Sequence, residues 1–128
     1  MQYYQSKTVK GDYNKVIDKI TGLLKDEGFG VLTEIDVKET LKKKLDVDFK
    51  PYKILGACNP EFAHQAFQAE DKIGALLPCN VIVIDQGEGN IEVAIMDAEA
   101  MMKQVGNPDL EKIAGEVSKR MEGVLEKL

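Results

Sequence analysis

Apolar and polar positions along the chain alternate between a helical and a strand period, and the switches mark the elements. Tyr13, Val16, Ile17, Ile20, Leu23 and Leu24 recur at the spacing of one helical face. Asp12 stands where an N-cap belongs, and Gly28 stands at a left-handed C-cap position with apolar Phe29 beyond it. Upstream, Tyr3, Tyr4, Thr8 and Val9 predict a weakly patterned first strand over residues 2–10, near a sheet edge. Downstream, Val31, Thr33, Ile35 and Val37 alternate and predict a second strand over 30–36. Asp36 and Glu39 form a capping-box pair for a short helix over 37–45. Its apolar content is thin, Leu41 and Leu45, so its lysines read as a solvated face.

Residues Tyr52 to Cys58 predict a third strand, which Pro51 can begin but not sit inside. Asn59-Pro60 is a helix start, with asparagine at the cap and proline in the first turn. Phe62, Ala66, Ala69 and Ile73 share one face of that helix, and Gly74 ends it. Val81-Ile82-Val83-Ile84 is apolar at every position, so the strand over 80–85 is expected to be central with both faces buried. Gln86 to Asn90 has hairpin chemistry, and Ile91, Val93 and Ile95 face inward on the returning strand. Asp97 caps a short helical piece with Met101 and Met102, which Gly106 breaks. Asn107-Pro108 starts a last helix with a stripe of Leu110, Ile113, Ala114, Val117, Met121, Val124 and Leu125. The fold class is therefore α+β: one domain over 1–128, an antiparallel or mixed five-stranded sheet packed by helices, with the long C-terminal helix lying across the sheet.

Composition narrows the class. A chain of 128 residues with 44% hydrophobic and 30% charged residues is an ordinary globular protein that needs no disulfide or metal to fold. The net charge is −5, and no basic run exceeds Lys42-Lys43-Lys44, which argues against nucleic-acid binding. The first seven residues have no apolar core and do not resemble a signal peptide, and no apolar run reaches the length of a membrane span. A cytoplasmic protein with no membrane contact is the expectation, and its two cysteines should then be thiols.

Those cysteines carry the candidate chemistry. Each is followed by asparagine, as Cys58-Asn59 and Cys79-Asn80. Cys58 precedes a helix N-terminus, a setting that favours an anion. If strands 52–58 and 79–85 are antiparallel neighbours, the two sulfurs fall near disulfide reach, where they could share a soft metal ion or pair on oxidation. The plainer reading is that both are core residues, with no cofactor at all. No CxxC spacing is present. The candidate ligand or thiol residues are Cys58, Asn59, Cys79 and Asn80, with Cys58 and Cys79 as the metal ligands. His64, the lone histidine, falls with Gln68 and Asp71 on the polar side of its helix and is expected to face solvent. Gly87-x-Gly89 is not a phosphate loop, because a strand follows it. Met96, Met101, Met102 and Met121 read as core filler before they read as soft ligands. Asp85 and Asp97 read as turn and cap residues before a catalytic pair. No nucleotide fingerprint or Ser-His-Asp grouping appears.

The segment Pro51-Tyr-Lys-Ile-Leu-Gly-Ala-Cys-Asn-Pro60, then Ala63, then Ile73-Gly-Ala-Leu-Leu-Pro-Cys-Asn-Val81, resembles the signature of domain of unknown function family 302. The resemblance covers nearly the whole chain, since Gly28-Phe29 and the hairpin also fit. It implies an α+β fold like that of the TATA-box-binding protein, with an antiparallel sheet and a long C-terminal helix. It implies no established activity. Asp97-Ala98 stands where the family commonly has Asp-Pro, which puts the start of the following helix in question.

Together these readings favour a non-catalytic binding protein with a small-ligand or soft-metal site at the two Cys-Asn corners. The alternatives are a thiol-dependent enzyme or redox protein using Cys58, for which no base or cation is evident nearby, and a purely structural or interaction subunit. A homodimer is expected, because Tyr3 and Tyr4 mark an edge strand and Ala94 and Met96 give the hairpin strand a second apolar face.

Overall fold

The computed structural model describes residues 2–128. Its order is β1 (Tyr4–Lys10), α1 (Tyr13–Asp26), β2 (Gly30–Asp36), α2 (Val37–Leu45), β3 (Tyr52–Cys58), α3 (Pro60–Ala69), a 3-10 segment (Asp71–Leu76), β4 (Cys79–Asp85), β5 (Asn90–Met96), α4 (Ala98–Met102), a second 3-10 segment (Lys103–Val105) and α5 (Pro108–Lys127). The five strands form one sheet in the order β1-β5-β4-β3-β2. Every neighbouring pair is antiparallel, so β4 is the central strand and β1 is an edge, as the patterning implied.

The local signals act as the sequence predicts. The Asp12 and Asp36 side chains accept the N–H of Lys15 and Glu39 at 3.0 and 2.9 Å. Asp97 accepts the Ala100 N–H at 3.0 Å, so α4 begins at Ala98 without a proline there. Asp85 accepts the N–H of Gly87 in the hairpin turn, at 2.9 Å. Helix α1 ends in a Schellman motif: Phe29 N–H reaches the Leu24 carbonyl and Gly28 N–H the Lys25 carbonyl, both at 2.9 Å. Gly28 has φ +85, and a Cβ there would lie 2.9 Å from Asn59 Nδ2, so glycine meets both a backbone and a steric demand.

One core fills the side of the sheet that faces the helices. Leu55, Ala57, Cys79, Val81, Val83, Ile91, Val93 and Ile95 alternate along β3, β4 and β5, and pack with Ile20 and Leu24 of α1 and with the α5 stripe. Ile113 of that stripe is only half-buried, whereas Ser118, which the apolar pattern passes over, is buried and accepts the Glu99 N–H at 3.1 Å.

Two expectations need correction. The helix after Asn59-Pro60 does not run to Gly74. It stops at Ala69, where Asn107 Nδ2 donates to the Ala69 carbonyl at 2.8 Å, and Glu70 turns extended before a 3-10 segment carries Ile73 into the core. A helix end stopped by a side chain from another element leaves no breaker in the local sequence. The second correction concerns the other face of the sheet. The register aligns Ser6, Ala94, Ile82, Ile54 and Ile35 in one row across all five strands. Ala94 and Ile84 are buried on that side, but outside the core cluster, and Ile82 and Ile54 are only half-buried. Ile35 is 49% exposed. The continuous apolar run of β4 therefore reflects one fully packed face and one partly open apolar face. Among the described residues, no helix is long and apolar enough to cross a membrane.

Candidate functional site

Strand β3 ends and β4 begins at the same edge of the core, and α3 with its 3-10 extension bridges them. Antiparallel strands joined this way leave a corner that the connecting helix must roof, and small residues decide whether the roof closes. Here α3 presents Ala63 and Ala66, and α5 presents Ala114, where larger side chains would meet. The corner stays open as a cavity of about 320 Å3. Its floor is Ala57 and Cys79 of the sheet, with Phe29 at one side. The roof comes from Phe62, Ala66 and Phe67 of α3, and Leu77 and Pro78 lead into β4. The far wall is Met102 of α4 with Leu110, Ile113, Ala114 and Val117 of α5. No lining residue carries a charge. The polar side chains are Thr33, Asn59 and the two thiols.

The predicted site residues separate on this frame. Cys79 is buried in the cavity floor, and burial, with a smaller contribution from the neighbouring Cys58, pushes its thiol up to about 11. A thiol held protonated suits an apolar wall and not a nucleophile. Cys58 is half-buried and also borders the cavity. Asn59 is buried, and its Oδ1 accepts the N–H of Glu61 and Phe62 at 3.1 and 3.3 Å, which satisfies the start of α3. Asn80 is exposed and does not line the cavity. His64 is exposed, as its place on the helix implied.

The two cysteines lie on adjacent antiparallel strands at the same end of the sheet, as expected, but they do not form a pair. Both are free. The register sets Ala57, not Cys58, opposite Cys79. Neighbouring positions on a strand alternate in direction, so the two thiols are offset by one residue and not directly opposed, although both border the cavity. Two sulfurs would supply only half of a tetrahedral soft-metal set. Among the described residues, no group of three or more His, Cys, Asp and Glu side chains could hold a metal ion.

Two features escaped the sequence. Gly56 sits in β3 where a Cβ would fall on the Thr33 hydroxyl and come within 2.8 Å of Pro78 Cγ, so the strand, the edge and the cavity's Pro78 wall close only around glycine. Arg120 of α5 lies with its guanidinium 5.0 Å from the Phe62 ring centroid, and its Nη1 donates to the Glu27 carbonyl at 3.2 Å. At the opposite end of β3, Lys53 pairs with Glu34 at 2.8 Å, and that hydrogen bond raises the lysine's pKa. Lys53 is thus engaged away from the cavity and is no cation for either thiol. Nearby, burial followed by Asp36, Asp85 and Glu34 pushes the Tyr13 hydroxyl up to about 12.

The family model for the domain of unknown function DUF302 matches residues 5–128. A solved structure described as the crystal structure of an uncharacterized conserved protein DUF302 from Bacillus stearothermophilus is similar at a TM-score of 0.90 and 30% sequence identity. That match covers 98% of this chain and 98% of the other. No curated protein matches the chain.

Proposed function

This chain belongs to the DUF302 family, and we propose that it is a non-catalytic binding protein whose corner cavity takes a small, mainly apolar molecule. The observation that carries this reading is the cavity itself: about 320 Å3, bounded by five separate segments and by no charged side chain. Cavities of a few hundred Å3 with mostly apolar walls and few polar groups are the usual form of small-ligand sites. The two thiols and Asn59 sit at its border as wall and frame, which supports the Cys-Asn corners as the location of the site. The thiol-enzyme alternative is weaker. Its candidate nucleophile, Cys58, gains no base from the lone histidine, which lies on the exposed side of α3, or from Lys53, which pairs with Glu34 at the other end of β3.

Binding of the uncharged fluorophore N-phenyl-1-naphthylamine tests the reading. One saturable site is expected, weakened at least about tenfold in Ala66→Leu, which places three carbons in the cavity. Absence of saturable binding, or equal affinity in the two proteins, would refute it.

We also propose that the protein is a homodimer whose copies pack through the open sheet face. Five strands of seven residues present a face of roughly 24 by 24 Å, so a back-to-back pair would bury about 1,100 Å2 in all, just past the roughly 1,000 Å2 that a biological interface should clear. The row Ile35, Ile54, Ile82 and Ala94 would form its centre.

A further inference from the structure

We propose that the cavity selects an aliphatic molecule with an anionic head, a medium-chain carboxylate, and that Arg120 binds the head. The inference rests on the reading of the cavity as a binding site and adds the chemical class of its ligand. Along α5, Leu110, Ile113, Ala114 and Val117 line the cavity. Arg120 is one turn beyond Val117 on the same side of the helix, at the exposed end of that stripe. Its guanidinium covers Phe62, itself a wall residue, so the charge lies at the rim.

Arg120 is the only arginine in the chain. Among the described residues, no carboxylate forms an ion pair with it. The bond to the Glu27 carbonyl and the contact with Phe62 fix the plane of the group while using one of its five N–H donors. A fixed, planar, unpaired guanidinium suits bidentate recognition of a carboxylate. The start of α3 is a poorer anion site, since Asn59 already occupies its N–H groups. The apolar walls hold no partner for an ionised group, so a charged head must stay at the rim while the tail enters. A volume of about 320 Å3 corresponds to roughly ten methylene-sized groups, taking about 30 Å3 for each, as for a water.

The test is displacement of N-phenyl-1-naphthylamine by decanoate and by decanol, two probes of equal tail length, from wild type, Arg120→Gln and Arg120→Lys. Wild type should bind decanoate about tenfold or more tightly than decanol. Arg120→Gln should bring decanoate down to the decanol level while fluorophore and decanol affinities stay unchanged, which also shows that its cavity is intact. Arg120→Lys should keep part of the preference. Equal affinity of wild type for acid and alcohol, or a preference that survives Arg120→Gln, would overturn the proposal and leave the apolar site standing. Failure of the fluorophore to bind wild type would instead remove the site, and this inference with it.

Discussion

Ala66→Leu should stabilise this protein while impairing its binding, a combination that depends on the cavity being real space. Ala66 is buried, on the roof of the cavity, in the middle of α3. Leucine adds three carbons, roughly 90 Å3 by the same measure, which is about a quarter of the space available. Burying three methylene-sized groups contributes about 2.4 kcal/mol at about 0.8 kcal/mol each. Fixing the leucine rotamer costs about 0.5–1 kcal/mol, and the exchange of one good helix former for another costs little. The net expectation is a gain of about 1–2 kcal/mol, or roughly 4–8 °C in Tm for a chain of this length. Urea denaturation should show a higher midpoint with an unchanged slope. If the corner were closed, the same substitution would overpack the core and cost about 1–3 kcal/mol. A lower midpoint would therefore refute the cavity, and a higher midpoint with undiminished fluorophore binding would refute its role as the site.

Iodoacetamide at pH 8 should modify Cys58 well before Cys79, since a thiol raised to about 11 is ionised to only about one part in a thousand there, and Cys79 is also buried; tryptic peptides 54–72 and 73–103 separate the two sites for mass spectrometry, and equal rates would contradict the burial argument. The folded pKa of Cys79 lies above its ordinary value of 9.0, so its contribution to stability is complete below pH 9 and is lost as pH rises towards 11. Between pH 9 and 10 wild type should lose about 1 kcal/mol that Cys79→Ala does not, the Tyr13 contribution being common to both proteins, and parallel curves would contradict the assignment. Gly56→Ala should lower stability by about 1–3 kcal/mol through its clash with Thr33 and Pro78, and a neutral result in urea denaturation would show that this corner can relax. Light scattering at micromolar concentration should give a dimer mass for wild type and a monomer mass for Ile54→Lys, and a monomeric wild type would end the back-to-back proposal.

Caps, breakers and periodicity are contained within a few residues, so elements such as α1 with Asp12 and Gly28-Phe29, α5 with Asn107-Pro108, and the Gln86–Asn90 hairpin were legible in the sequence, as was the family through its paired Cys-Asn segments. The caps at Asp36 and Asp97 and the exposure of His64 followed from the same local reasoning. What escaped it depends on partners remote in the chain. The end of α3 is set by Asn107, thirty-eight residues on from Ala69. The offset of Cys58 from Cys79 is a property of register, which the whole sheet determines and which a one-residue shift inverts at every position. The cavity exists because Ala57, Ala66 and Ala114, from three different elements, meet at one corner, and Arg120 meets Phe62 only because α5 crosses there. Sequence pattern records which face of each element is apolar; only the packing of elements against one another decides where apolar faces fail to meet, and that failure is the cavity.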